Sequence, residues 1–143
     1  MRLTVLTDYS LRMLIHLAVK PRGRATIAEV ATAYGISEAH LMKVARLLGQ
    51  SGHVNTVRGR GGGLALGRSA AEITVGDVVR QMEPDMAVVP CLAGGSCTIL
   101  PACRLKLTMH EARAAFLTVL DRTTIADLAH PEGQLQQLLG IAA

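Results

Sequence analysis

The sequence has no tryptophan, and its aromatic residues are limited to Tyr9, Tyr34 and Phe116. A core without large rings must be filled by Leu, Val, Ile, Ala and Met, which suits packed helices better than a β-sandwich. No uninterrupted apolar run is long enough to cross a bilayer, so no membrane partner is expected. Arg2 is not followed by a signal-peptide apolar core and cleavage site, which points to the cytoplasm. No Ser/His/Asp arrangement, paired carboxylates or nucleotide loop is apparent, so the chain is not read as an enzyme. It has only three cysteines, an odd number, and in a reducing compartment a disulfide framework is not expected. Half of the 143 residues are hydrophobic, enough for one ordinary domain, or a small domain with an appendage.

Acidic residues are scarce in the first half. Residues 1–68 hold ten Lys/Arg against three Asp/Glu, whereas residues 69–143 hold five against eight. A basic front and a mildly acidic back suggest a polyanion-binding module joined to something else.

What is present reads as mainly α structure. Leu11, Leu14, Ile15 and Ala18 form an amphipathic helical stripe over residues 8–19, with Thr7 or Asp8 as its cap. Lys20, Pro21, Arg22, Gly23 and Arg24 make a basic loop. Thr26 and Glu29 have capping-box spacing, and Gly35 suits the left-handed position after a short helix. Ser37 caps the next helix, whose apolar side is Leu41, Val44, Ala45, Leu47 and Leu48. Helix, tight glycine turn and helix form a helix-turn-helix. The polar side of its second helix offers Glu38, His40, Lys43, Arg46 and Gln50 to a major groove.

Val54–Val57 and Leu64–Leu66 read as two strands around Arg58-Gly-Arg60-Gly-Gly-Gly63. A hairpin directly after a recognition helix is a wing. Its glycines permit close approach to a partner backbone, and Arg58 and Arg60 suit a minor groove or phosphates. A further helix is expected over residues 74–83, capped by Thr74 and stopped by Pro84. Beyond residue 104, Leu105, Met109, Ala112, Phe116 and Val119 step by 4, 3, 4 and 3, a short heptad seam for a homodimer. The expected layout is a DNA-binding domain over 1–83, a cysteine loop over 84–104, and a dimerisation helix with a tail over 105–143.

Cys91, Cys97 and Cys103 have five residues between successive members, with Gly94, Gly95 and Pro101 interrupting regular structure. Zinc sites usually show tighter Cys pairs and four protein ligands. The wider spacing suits an iron–sulfur cluster better. A fourth ligand would come from Asp8, His110, Glu111 or an exogenous molecule. Taken alone, His110 reads as a surface histidine and Asp8 as a helix cap.

These motifs together resemble the Rrf-type family of winged-helix bacterial regulators over about residues 1–130. The resemblance rests on Met1-Arg-Leu-Thr4, Asp8-Tyr9, Val57-Arg-Gly-Arg-Gly-Gly-Gly-Leu64, Thr74-Val-Gly-Asp-Val78 and the cysteine spacing. It implies a homodimeric transcriptional repressor that binds a double-stranded DNA operator. The Ser37–Gln50 helix would enter the major groove and Arg58 and Arg60 the minor groove. Family members that govern cluster supply have a histidine three residues after the last cysteine, where this chain has Lys106. The departure disfavours a [2Fe–2S] site of that type. Nitric-oxide-sensing members use an aspartate near the N-terminus, donated by the partner subunit, and Asp8 matches it. The resemblance therefore implies a [4Fe–4S] cluster held by Cys91, Cys97, Cys103 and Asp8, with nitric oxide as signal. Regulation by iron or cluster supply is the alternative.

Overall fold

The first helix begins earlier than its apolar pattern suggests. In the computed structural model, which describes residues 2–142, α1 spans Val5–Val19 and is capped by Thr4, whose hydroxyl accepts from the Thr7 N–H at 3.4 Å. Met1 of the opening motif, and Ala143, lie outside the described residues. Neither Thr7 nor Asp8 is the cap. Asp8 instead lies in the first turn, where a carboxylate complements the positive end of the helix. The buried side is also broader than the expected stripe. Met13, Leu14, Leu17 and Val19 are fully buried with His16, whereas Leu11 and Ile15 are half-buried. The reason is that α1 is enclosed from several sides, by α3, α4, α6, α7 and the sheet.

After α1 the chain turns and forms β1, Arg24–Ala25, which was expected to be loop. It pairs antiparallel with β3, Gly63–Leu66, which pairs on its other edge with β2, Val54–Val57. The wing therefore rests on a three-stranded sheet of order β1-β3-β2. Gly63 makes the tight join possible: a Cβ there would lie 2.6 Å from the Ala25 carbonyl oxygen.

Between β1 and β2 lie α2, Ile27–Tyr34, and α3, Glu38–Gln50. The capping box forms, with Glu29 N–H donating to Thr26 Oγ1 at 3.2 Å and Thr26 N–H to Glu29 at 2.6 Å. Gly35 takes φ 64°, so α2 ends and α3 starts within one tight turn. Leu41, Val44 and Leu48 anchor α3 in the main core, each fully buried.

Thr74 caps α4, Val75–Met82, and Val75, Val78, Val79 and Met82 are buried as expected, with Ile73 just before them. The cysteine loop follows. α5 then runs over Arg104–Asp121 and buries none of its residues. The chain next returns to the first half. Ile125 N–H donates to Ile73 O at 2.9 Å, and Val75 N–H to Thr123 O at 2.8 Å. This places α6, Ile125–Leu128, with Ile125 fully buried in the main core. α7, Glu132–Leu138, packs near the end of α1, where Gln136 donates to Val19 O at 2.7 Å. Among the described residues, no helix is long and apolar enough to cross a membrane.

Candidate nucleic-acid interface and cysteine site

The face of α3 opposite its buried side is free. Ser37, Glu38, His40, Lys43 and Arg46 are all exposed there. Ser37 has a second task, because its hydroxyl accepts from the His40 N–H at 3.3 Å and so fixes the start of the helix. The His40 ring lies 6.2 Å from Tyr9 of α1. Met42 also stands on the open face, 61% exposed, and the polar reading of α3 passed over it. Its position four residues after Glu38 and four before Arg46 was the available signal. An exposed methionine between cationic side chains can contact a thymine methyl.

Arg58 and Arg60 are exposed in the wing. Gly59 and Gly61 adopt φ 96° and 70°, and Gly62 N–H closes the tip onto Gly59 O at 2.9 Å. A Cβ at Gly62 would collide with the Val57 carbonyl. Glycines thus shape the tip, and the two arginines carry its charge. At the wing base, His53 is buried and its Nδ1 lies 2.6 Å from Ser51 Oγ. Burial, with help from nearby Arg68, pushes the His53 pKa down, against a smaller opposing pull from Asp77.

Asp8 is on the surface and forms an ion pair with Arg12 at 3.0 Å. The Arg12 guanidinium lies 5.7 Å from the centre of the Tyr34 ring, at the last turn of α2. Arg12 therefore bridges Asp8 and the helix-turn-helix. Just before it, Thr4 and Thr7 both bond Glu83, the residue that ends α4. The first turn of α1 is thereby pinned to the base of the cysteine loop.

Within the loop each cysteine has its own turn. Cys91 sits in a short 3₁₀ turn, Pro90–Ala93, closed by Gly94 at φ 87° and by Gly95 N–H donating to Pro90 O at 3.0 Å. The Cys97 carbonyl accepts from Leu100 N–H at 3.1 Å, opening a second turn over Leu100–Ala102. Cys103 caps α5, its Sγ accepting from Lys106 N–H at 3.4 Å. A sulfur at a helix N-terminus is well placed to carry negative charge. All three thiols are free, with Cys97 exposed and the others half-buried. Among the described residues of one chain, no three His, Cys, Asp or Glu side chains converge as a metal-ion site. His110 is exposed on α5, as is Glu111.

Comparison with known proteins agrees with this geometry. The Rrf2 family, described as iron-dependent transcriptional regulators, matches residues 3–131. The HTH-type transcriptional regulator NsrR of Geobacillus kaustophilus is 44% identical over 142 residues, covering 97% of each chain. Among solved structures, the global cysteine regulator CymR of B. subtilis superposes with a TM-score of 0.76 at 28% identity, over 90% of this chain and 96% of that one. IscR of T. potens superposes at 0.74 with 25% identity, over 90% of this chain and 85% of that one.

Proposed function

Because the chain belongs to the Rrf2 family of transcriptional regulators, we propose that it is a cytoplasmic, homodimeric repressor that releases its operator in response to nitric oxide. It is a DNA-binding regulator and not an enzyme, as its relatives are. The likeness to NsrR supports the choice of signal.

An iron–sulfur cluster, in our reading [4Fe–4S], fits the donor set. Cys91, Cys97 and Cys103 are free thiols on one accessible loop, shaped by turns. Asp8 stands apart from that loop on an exposed turn of α1, as a donor reaching toward a second subunit would. Lys106 offers no imidazole where a cluster-supply regulator would place one. When bound, the cluster would supply an iron whose carboxylate ligand exchanges more readily than thiolate, and which nitric oxide can therefore reach.

The observation that carries the reading is the Glu83 tie. Glu83 joins the loop base to Thr4 and Thr7 on α1, and α1 packs directly on α3. A shift of the loop therefore moves the helix against which the recognition helix rests. On the partner side, release of Asp8 frees it to pair with Arg12, next to Tyr34 and the helix-turn-helix. A useful switch needs the two states to differ by a few kcal/mol. α5 supplies the dimer contact, since Leu105 and Val119 are 56% and 61% exposed on a helix with no buried residue.

Cys97→Ser tests the reading. Cys97 is exposed, so the fold should persist. After anaerobic iron and sulfide reconstitution the variant should stay colourless and lose sequence-specific DNA binding. Retained specific binding at wild-type strength would remove the thiols from control of the operator.

A further inference from the structure

The largest cavity of the molecule, about 910 Å³, lies between the wing tip, β1 and the turn before α2. It is strongly basic. Lys20, Arg22, Arg24 and Arg60 line it together with Gly61, Gly62 and Thr26. The basic loop before α2 has no part in the helix-turn-helix or the hairpin as read from sequence, yet the fold carries it to the wing. Two features do this. Arg24 stands opposite Ala65 in the β1–β3 pair, and the missing side chain at Gly63 lets β1 sit close against the wing strand. Gly23, at φ 62°, turns the chain so that Arg22 also borders the cavity, with Gly23 N–H donating to Lys20 O at 2.8 Å.

The charges there are not balanced internally. The acidic residue lining the cavity is Glu29, which is held by the Lys20 ammonium at 2.7 Å and by the Thr26 N–H. Those bonds hold its carboxyl down to about 2, so it is ionised and fully engaged. Arg22, Arg24 and Arg60 are exposed and make no ion pair among the described residues. Three free guanidinium groups on one concave surface need an anion with several oxygens in a row.

From this convergence we infer that the cavity is a second DNA-contact site, in which Arg22 and Arg24 take successive backbone phosphates beside the minor groove entered by Arg60. The inference rests on the DNA-binding reading above and extends the interface beyond the recognition helix and wing. Arg60 is common to the wing tip and the cavity rim, so a duplex held at the wing must pass its phosphodiester backbone across Arg22 and Arg24. These contacts are independent of base sequence. They anchor the outer side of the wing while α3 reads bases.

The test uses the full-length protein, a duplex selected by it from a random library, and a random duplex of equal length. Arg22→Ala/Arg24→Ala should lower the slope of log affinity against log salt by about two units on both duplexes. Arg22→Lys/Arg24→Lys should keep most of that slope, and Arg113→Ala on α5 should leave it unchanged. Neutral methylphosphonates beside the wing contact should weaken wild type but weaken the double alanine variant little further. An unchanged slope in a folded double alanine variant overturns the inference. So does equal methylphosphonate sensitivity in both proteins, or tight competition by inorganic phosphate without any change of slope. Absence of salt-dependent duplex binding by wild type would instead defeat the DNA-binding reading itself.

Discussion

Glu83, at the end of α4, holds Thr4, at the start of α1, through both the Thr4 N–H at 2.8 Å and its hydroxyl at 3.0 Å. Thr7, fully buried, donates to the same carboxylate oxygen. Glu83→Ala removes the acceptor and leaves the buried Thr7 hydroxyl without it, at a cost of about 1–3 kcal/mol. The account expects more than lost stability. At a temperature where the variant remains folded, the ratio of operator affinities between cluster-loaded and cluster-free protein should shrink toward one. An unchanged ratio would show that the loop acts by another route.

Arg80 on α4 grips Asp121 at the end of α5 through two hydrogen bonds of 2.6 and 2.8 Å. Gly76 makes room for this pair, since a Cβ there would strike the Asp121 carboxylate. Both side chains are more than a third exposed, so the pair contributes at most about 1 kcal/mol. Gly76→Ala should therefore be destabilising while Asp121 is present, and neutral or stabilising beside Asp121→Ala, where helix propensity alone remains. Thermal unfolding of the four proteins checks this. Additive effects would mean that Gly76 serves something other than the ion pair.

The exposed apolar face of α5 makes the dimer testable. Leu105→Asp/Val119→Asp adds two charges where neither side chain supports the monomer core. The variant should sediment as a folded monomer, with Tm close to wild type and operator affinity reduced at least tenfold. A variant that stays dimeric would move the interface off α5.

Much of the DNA-binding half was legible because its signals are local. Thr26, Glu29, Gly35 and Ser37 each act within a few residues, and the helix boundaries they imply are the ones found. Thr4 was missed because the apolar stripe of α1 begins after its first turn. β1 escaped notice because a two-residue strand has no period to detect, and only pairing with Ala65 and Leu64 defines it. The same is true of the chain's return to α1. Gln136 and Val19 are joined by a bond between distant residues, and neither residue type announces it. In the cysteine loop, the spacing identified the thiols, but Cys103 as the cap of α5 and the Glu83 tie needed three dimensions.

Two histidines predict the pH dependence. His16 is fully buried, and burial, followed by Lys20, lowers its pKa against a weaker pull from Glu29; His53 is lowered in the same direction. In the unfolded chain both take up protons as pH falls through about 6.5. In the fold they stay neutral to lower pH, so the unfolded state binds more protons there. Stability should be full above about pH 6.5 and decline as pH falls toward the folded pKa values. Tm should be lower at pH 5 than at pH 7, and His16→Leu should flatten the decline. A Tm that rises on acidification would contradict this.

Asp8→Ala separates the nitric-oxide reading from regulation by cluster supply. Asp8 and Arg12 are nearly half exposed, so the loss of their ion pair should cost no more than about 1 kcal/mol. The variant should lose much of its nitric-oxide response while cluster loss still changes DNA binding in part. A full nitric-oxide response in the variant would remove Asp8 from the ligand set.

The most direct test of the account is an anaerobic nitric-oxide titration of the reconstituted protein bound to operator DNA, followed by absorption and DNA release together, with iron and sulfide analysis. The account predicts a brown protein with about four irons per chain that drops its DNA as the cluster absorption bleaches. A colourless protein that holds its operator unchanged through the titration would contradict it.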